Sequence, residues 1–272
     1  MSFLTVLVVL FFYRNWGGDN PVREHVDAEA YFRRMDGIAI PAPWGFWLRV
    51  GLPVLVVWVI AESVEHWLQG IVWLFLSLAV VIYCIDLTDV ETEFYEYKQK
   101  LQAVTGEEDL ADIVQMQEEF QTDHFHSMFQ GIVPTLFWFL ILGPAGALAY
   151  FLTLQYLNRL PEGDAEESLV DQVVHWLEWI PVRITGLLFC FTGNFGPTFD
   201  YWVGQLFDLN ESSSTHLSAM VGLAADVTED HDDDVLGFAR FAEAHVDEMR
   251  YLCDRALFGW LGVAALVTIL HG

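Results

Sequence analysis

Residues 129–157 read FQGIVPTLFWFLILGPAGALAYFLTLQYL and contain no charged side chain. The run is longer than the roughly 20 apolar residues a helix needs to cross a bilayer. Gly143-Pro144 interrupts it near the middle. A proline removes a helix hydrogen bond and collides with the preceding turn. In lipid such a break survives only where neighbouring helices or a cavity satisfy the freed backbone groups. The run therefore predicts a kinked or broken membrane helix packed inside a bundle, and places the Gly-Pro break among the first sites to inspect for function.

Composition agrees. The chain has 272 residues, is 54% hydrophobic and 15% aromatic, and has positive mean hydropathy. Its 11 Trp and 9 Tyr suit the two bilayer interfaces, where one edge of the ring is wet. A net charge of −26 excludes nucleic acid as a partner, because phosphate binding draws on Lys and Arg. It also excludes a polybasic clamp on anionic lipid. Cys84, Cys190 and Cys253 are scattered in or beside apolar segments, so they form no disulfide framework and read as small core hydrophobes.

Spans are expected at about 1–16, 44–63, 67–85, 129–157 and 252–270, within a single membrane domain covering 1–272. The first, MSFLTVLVVLFFY, lacks the basic start and small-residue cleavage site of a signal peptide and is read as uncleaved. Arg49, near the start of the second span, can snorkel. Residues 86–128 and 208–250 are expected to be soluble helical segments. Ser168, with Asp171 in capping-box position, begins a helix that Pro181 restarts. The stretch 180–193 is short for a span and is read as either a crossing or a re-entrant segment. With six crossings and the N-terminus outside, Arg14, Arg23, Arg33, Arg34, Lys98, Lys100, Arg240 and Arg250 fall on the cytoplasmic side. Arg159 falls outside, together with Arg183 on one reading.

Four groups are candidates for chemistry. Arg183 follows the proline in Trp179-Ile180-Pro181-Val182-Arg183; it could hold a carboxylate or phosphate bidentately, or more simply snorkel or pair with Glu178. Asp86, Asp89, Glu91 and Glu93 could hold Mg²⁺ with a phosphate, against the simpler reading of a solvated helix start. Glu118, Glu119, Asp123, His124 and His126 could offer a carboxylate and an imidazole from one face, against an amphipathic helix leading into the membrane. Asp230–Asp234 lacks the spacing and glycine of a calcium loop and reads as a solvated charge run; His245, Asp247 and Glu248 are similar. No metal site and no cofactor is expected. Phosphate-loop, dinucleotide, zinc-hydrolase, paired-cysteine and nucleophile-elbow motifs are all missing.

Two segments carry a family resemblance: residues 136–152, LFWFLILGPAGALAYFL, and residues 177–195, LEWIPVRITGLLFCFTGNF. They resemble the AmpE family of inner-membrane proteins, described as signalling modulators of β-lactamase induction. Residues 83–109, YCIDLTDVETEFYEYKQKLQAVTGEED, are similar to that family's segment after its third span. The family in turn resembles the CobD/CbiB enzymes of cobalamin synthesis, through residues 133–150 and 178–183. The departures separate the two. Leu154 and Leu157 stand where the synthases carry Asn and Asp. Val174 and His175 stand where they carry an acidic pair, with Asp171 a turn earlier. Residues 17–25, GGDNPVREH, only faintly echo a synthase motif. Replacing polar residues by leucine removes groups that could bind phosphate.

The resemblance implies an all-α polytopic bundle with a broken central helix, multi-pass in a bacterial inner membrane, with synthase chemistry lost. It implies a functional core of Gly143, Pro144, Gly146, Tyr150, Glu178, Trp179, Pro181, Arg183 and Asn194, with no catalytic residue. Expected partners are the lipid bilayer, a membrane protein partner and a cell-wall-derived ligand. Two alternatives stay open: an ATP-dependent amide-forming ligase using Asp89, Glu119, Asp171 and Arg183, with His126 as a further phosphate or metal candidate, and an accessory subunit of a larger membrane complex.

Overall fold

The structure is a computed structural model and describes residues 2–15, 27–38, 41, 44–64, 70–86, 90–106, 109–225, 227 and 234–271. Residues 17–25, Glu65, His66, Asp89 and residues 228–233 of the acid run lie outside the described residues. Among the described residues there is no strand. The helices are α1 (Ser2–Asn15), α2 (Ala28–Asp36), α3 (Trp44–Val64), α4 (Ile71–Cys84), α5 (Val90–Gln102), α6 (Leu110–Glu119), α7 (Phe125–Leu142), α8 (Pro144–Arg159), α9 (Glu167–Thr192), α10 (Phe195–Gln205), α11 (Ser213–Ala224) and α12 (Val235–His271). A π-helical turn, Phe120–His124, joins α6 to α7. Among the described residues, four helical stretches are long and apolar enough to cross a membrane: Trp44–Val64, Leu110–Leu142, Glu167–Thr192 and Val235–Leu270. The fold is thus the all-α class expected, with helices of membrane-spanning character.

Side chains fix several helix starts. Asp27 accepts from Glu29 N at 2.9 Å, Asp109 from Ala111 N at 3.0 Å and Ser212 from Thr215 N at 3.1 Å; each occupies a donor that the first turn cannot. Pro181 lies inside α9 rather than restarting it, so residues 180–192 are the second half of one continuous 26-residue helix.

The chain forms two compact units: residues Met1–Thr88, Gln130–Glu178 and Val263–Gly272, and residues Asp89–Phe129 and Trp179–Gly262. In the first, α8 packs against α2, α3 and α4. It is buried on nearly every side, from Ala145, Gly146 and Ala147 to Tyr150, Phe151 and Tyr156, as a helix in the middle of a bundle should be. One face of α3 is left bare: Leu52, Leu55, Val56, Val59 and Ile60 are exposed, a surface that suits hydrocarbon.

The broken run is a reversal and not a kinked single crossing. Gln130 Nε2 and Tyr150 OH both donate to Glu178 Oε1, at 2.7 and 2.9 Å. A continuous helix would hold residues 20 apart at about 30 Å. The ring of Tyr83 meets Phe151, while Asp86 N, three residues on, donates to Gly131 O at 2.9 Å. So α8 runs back along the end of α4 where the final part of α7 began. The turn is at Gly143, with φ 68° and ψ −159°, a region open essentially to glycine. Pro144 then starts α8 at the one position where its missing N–H costs nothing. A Cβ at Gly146 would lie 2.3 Å from Trp138 O, so only glycine allows the two arms so close.

In the second unit, Tyr97 stacks on Phe120 with ring centroids 3.9 Å apart, and Phe120 stacks on His124 at 4.8 Å. His124 Nδ1 lies 2.5 Å from Glu93 Oε2. Lys98 Nζ reaches Asp247 at 2.6 Å and ties α5 to α12. At the end of α9, a Cβ on Gly193 would sit 2.4 Å from Ala224 O.

Candidate functional site

The resemblance segments put their polar residues in two places, one in each unit. In the first, Tyr150 and Glu178 meet directly. Glu178 is 2% exposed, and its Oε1 takes both the Tyr150 hydroxyl and the Gln130 amide. Trp138 Nε1 donates to Leu177 O at 2.9 Å and ties α7 to the same turn of α9. A buried carboxylate is tolerated only when hydrogen-bonded, and the reversal at Gly143 supplies both donors. Gly143, Pro144 and Gly146 therefore act through shape: they bring Tyr150 to Glu178.

In the second unit, Arg183 is 4% exposed. It does not pair with Glu178, as the simpler sequence reading has it. Its Nη2 donates to Asp208 O at 2.8 Å and stands 3.5 Å from Glu211 Oε2, from the segment between α10 and α11. Trp179 lies under the guanidinium at 5.6 Å, and Trp202 Nε1 donates to Arg183 O at 2.8 Å. Glu211 is shared: Oε2 meets His216 Nδ1 at 2.7 Å and Oε1 accepts from Tyr201 OH at 2.5 Å. Pro181 has no N–H to give Leu177 O, the carbonyl that Trp138 Nε1 takes instead, and Thr185 Oγ1 bonds back to Pro181 O at 2.8 Å.

Burial, with the nearby Arg183 charge, pushes the His216 pKa below its usual value against the opposing pull of Glu211. Neutral His216 has one N–H, which the network assigns to Nδ1 facing Glu211. Nε2 is then an acceptor, and it has no hydrogen-bond partner, as is also true of Arg183 Nε. Nε2 faces Gly186, where a Cβ would come within 3.2 Å. The result is a buried cation–carboxylate–imidazole row, able to hold a charge distribution or shift a proton between Glu211 and His216.

The other expected residues lie elsewhere. Asn194 donates its backbone N–H to Ala224 O at 2.9 Å and fixes the turn after α9. Glu119 is exposed and takes Gln115 of its own helix at 2.7 Å. Asp171 is exposed on α9, and His126 is half-buried on α7. Among the described residues no three His, Cys, Asp or Glu converge to hold a metal ion. Glu211, His216 and Tyr201 were not singled out from the sequence. The only cue was a lone acid in the polar linker 210–215, just after an aromatic-rich helix.

No solved structure matches the chain. A family model described as the regulatory signalling modulator protein AmpE matches residues 111–242, a segment that holds Tyr150, Glu178, Arg183, Glu211 and His216. The chain is also 22% identical over 298 residues to Protein AmpE of Shigella flexneri, covering 99% of this chain and 98% of that protein.

Proposed function

We propose that this chain is an AmpE-type protein of a bacterial inner membrane, a regulatory signalling modulator that works by binding and conformational change rather than by catalysis. The observation that carries the reading is the similarity to AmpE over almost the whole length of both chains. Four helices among the described residues, long and apolar enough to cross a bilayer, support the membrane assignment. The leucines at 154 and 157 support the loss of synthase chemistry, since neither side chain can touch phosphate through a hydrogen bond. The signal-responsive element in this reading is the row Arg183–Glu211–His216, because a buried charge with shared partners is balanced between arrangements and a ligand or partner can tip it. The resemblance points to a cell-wall-derived ligand or a membrane protein as the input, and to β-lactamase induction as the output.

The test is deletion of the gene in its own host, with β-lactamase activity followed before and after a β-lactam challenge. The expected result is an altered induction ratio that the intact gene restores and an Arg183→Ala gene does not, with both proteins present in the membrane fraction. An induction ratio unchanged by the deletion would sink the reading.

A further inference from the structure

At one end of the first unit a cavity of about 340 Å³ opens among Asp36, Arg49, Tyr156, Arg159, Asp164 and Glu166. That volume is at the small end of ligand pockets, roughly 300–1,000 Å³. Its walls are arranged polar groups. Arg159 holds Asp36 with both Nη atoms, at 3.3 and 2.5 Å. Arg49 Nη2 stands 3.6 Å from the same carboxylate, and its Nη1 donates to Tyr156 OH at 2.7 Å. Tyr156 passes the bond on to Glu166 Oε2 at 2.5 Å. The guanidinium of Arg159 lies 5.0 Å over the Phe32 ring and that of Arg49 lies 5.8 Å from the Tyr156 ring, which fixes both planes.

Two features separate this group from ion pairs that merely close the end of a bundle. Each arginine keeps a buried Nε without a hydrogen-bond partner, and the charges do not cancel: two guanidinia face three carboxylates. Glu166 is engaged at the start of α3, where it accepts from Phe46 N at 3.4 Å and where a Cβ on Gly45 would strike it at 2.7 Å. Asp36 is shared by the two arginines, and its carboxyl pKa is held below the usual carboxylate range chiefly by the Arg159 hydrogen bond. Neither Glu166 nor Asp164 contacts a cation; Glu166 is filled by Tyr156 OH and Phe46 N, while Asp164 Oδ1 accepts from Glu166 N at 2.8 Å and its second oxygen is left to a ligand. A simple anion would meet excess negative charge here, and a simple cation would meet two arginines.

The cavity also sits at the level of a span end. Arg49 lies immediately before the bare apolar face of α3 that starts at Leu52, and Trp44 and Trp47 are 67% and 54% exposed on the same turns. Aromatic side chains at the end of an apolar span mark the headgroup level.

We infer that this cavity is a binding site for a zwitterionic phosphodiester, the headgroup of an aminophospholipid, with the phosphate on Arg49 and Arg159 and the primary ammonium on Asp164. The inference rests on the membrane reading above. It adds a lipid input to the proposed regulator, at a place separate from Arg183.

The experiment is native mass spectrometry of the delipidated full chain in mild detergent, titrated with phosphatidylethanolamine, phosphatidylglycerol or phosphatidylcholine, and with soluble glycerophosphoethanolamine. Phosphatidylethanolamine should bind at least roughly tenfold more tightly than the other two lipids. Arg49→Gln and Asp164→Asn should each abolish that preference. Asp164→Asn keeps an oxygen for the Glu166 N–H that Asp164 Oδ1 accepts at 2.8 Å, so it remains informative if Arg49→Gln fails to fold. Equal binding of phosphatidylglycerol, or a preference that survives both substitutions, overturns the site. Saturation by glycerophosphoethanolamine with no gain for the lipid keeps the chemistry but overturns the lipid source. Alkaline carbonate extraction of native membranes separates the two readings: a chain that is extracted refutes the membrane assignment, whereas a retained chain without lipid preference refutes this inference alone.

Discussion

At the scale of single residues, the row Arg183–Glu211–His216 makes stability depend on pH in a defined direction. His216 is fully buried, and its pKa is pushed down in the folded chain by that burial and by Arg183. An unfolded histidine titrates near 6.5. Between the unfolded and the lower folded pKa the unfolded chain binds the extra proton, so acid favours unfolding. Stability should therefore be full above about pH 6.5 and fall as the pH drops below it. His216→Phe should flatten this acid-side slope, and a slope unchanged in the variant would show that other groups carry it. Equilibrium unfolding of the detergent-solubilised chain at a series of pH values measures the effect. The row also shows where residue-level reading of the sequence stops. Arg183 was visible from its position after Pro181, but its partner lies 28 positions away in a linker, and no spacing rule joins the two. Tyr150 and Glu178 were each visible in a motif; that they bond each other follows only once the chain folds back.

At the scale of helices, the reversal between α7 and α8 rests on two glycines with different duties. Gly143 has space around it but a positive φ; Gly146 has an ordinary helical backbone but no space. Alanine at 143 should cost about 1–3 kcal/mol in backbone strain. Alanine at 146 must displace the Trp138 carbonyl, and crowding of that kind costs about 1–3 kcal/mol or more. It should also weaken the Tyr150–Glu178 contact, which Gly143→Ala leaves to the same packing. A Cβ on Gly51 in α3 would meet nothing within 4 Å, and alanine there should be neutral or stabilising by about 0.5–1 kcal/mol. Thermal unfolding of the three variants checks the order, which fails if Gly51→Ala is as harmful as Gly146→Ala. The all-α class was legible in the sequence because apolar runs of this length have few alternatives. The direction of the chain after Gly143-Pro144 was not, because hydropathy is blind to whether a break bends a helix or turns it back. The continuation of α9 through Pro181 escaped for a related reason: proline signals a weak point in a helix, and packing decides whether the helix ends there.

At the scale of the whole molecule, in the membrane reading proposed above, the reversal decides which side of the bilayer the basic residues would occupy. A single crossing by residues 129–157 would carry Arg159 to the face opposite Arg33 and Arg34. The helical hairpin returns it, and Arg159 reaches Asp36 at the end of α2, three residues from Arg33. Arg33, Arg34, Arg49 and Arg159 then share one face, which strengthens the bias that sets orientation, since Lys and Arg count and acids contribute little. This matters in a chain with 12 basic residues and 38 acidic ones, where each arginine moved is a large part of the signal. Cysteine labelling can read the result directly, because the native cysteines Cys84, Cys190 and Cys253 are buried. Glu29→Cys and Glu162→Cys place probes at two exposed positions, one on α2 and one just after α8, without removing a basic residue. A membrane-impermeant maleimide should leave both unlabelled in intact spheroplasts and label both after lysis. Labelling of both in intact spheroplasts would invert the orientation but keep the hairpin. Labelling of only one would place α2 and the end of α8 on opposite faces and refute the reversal, together with the shared cavity it builds.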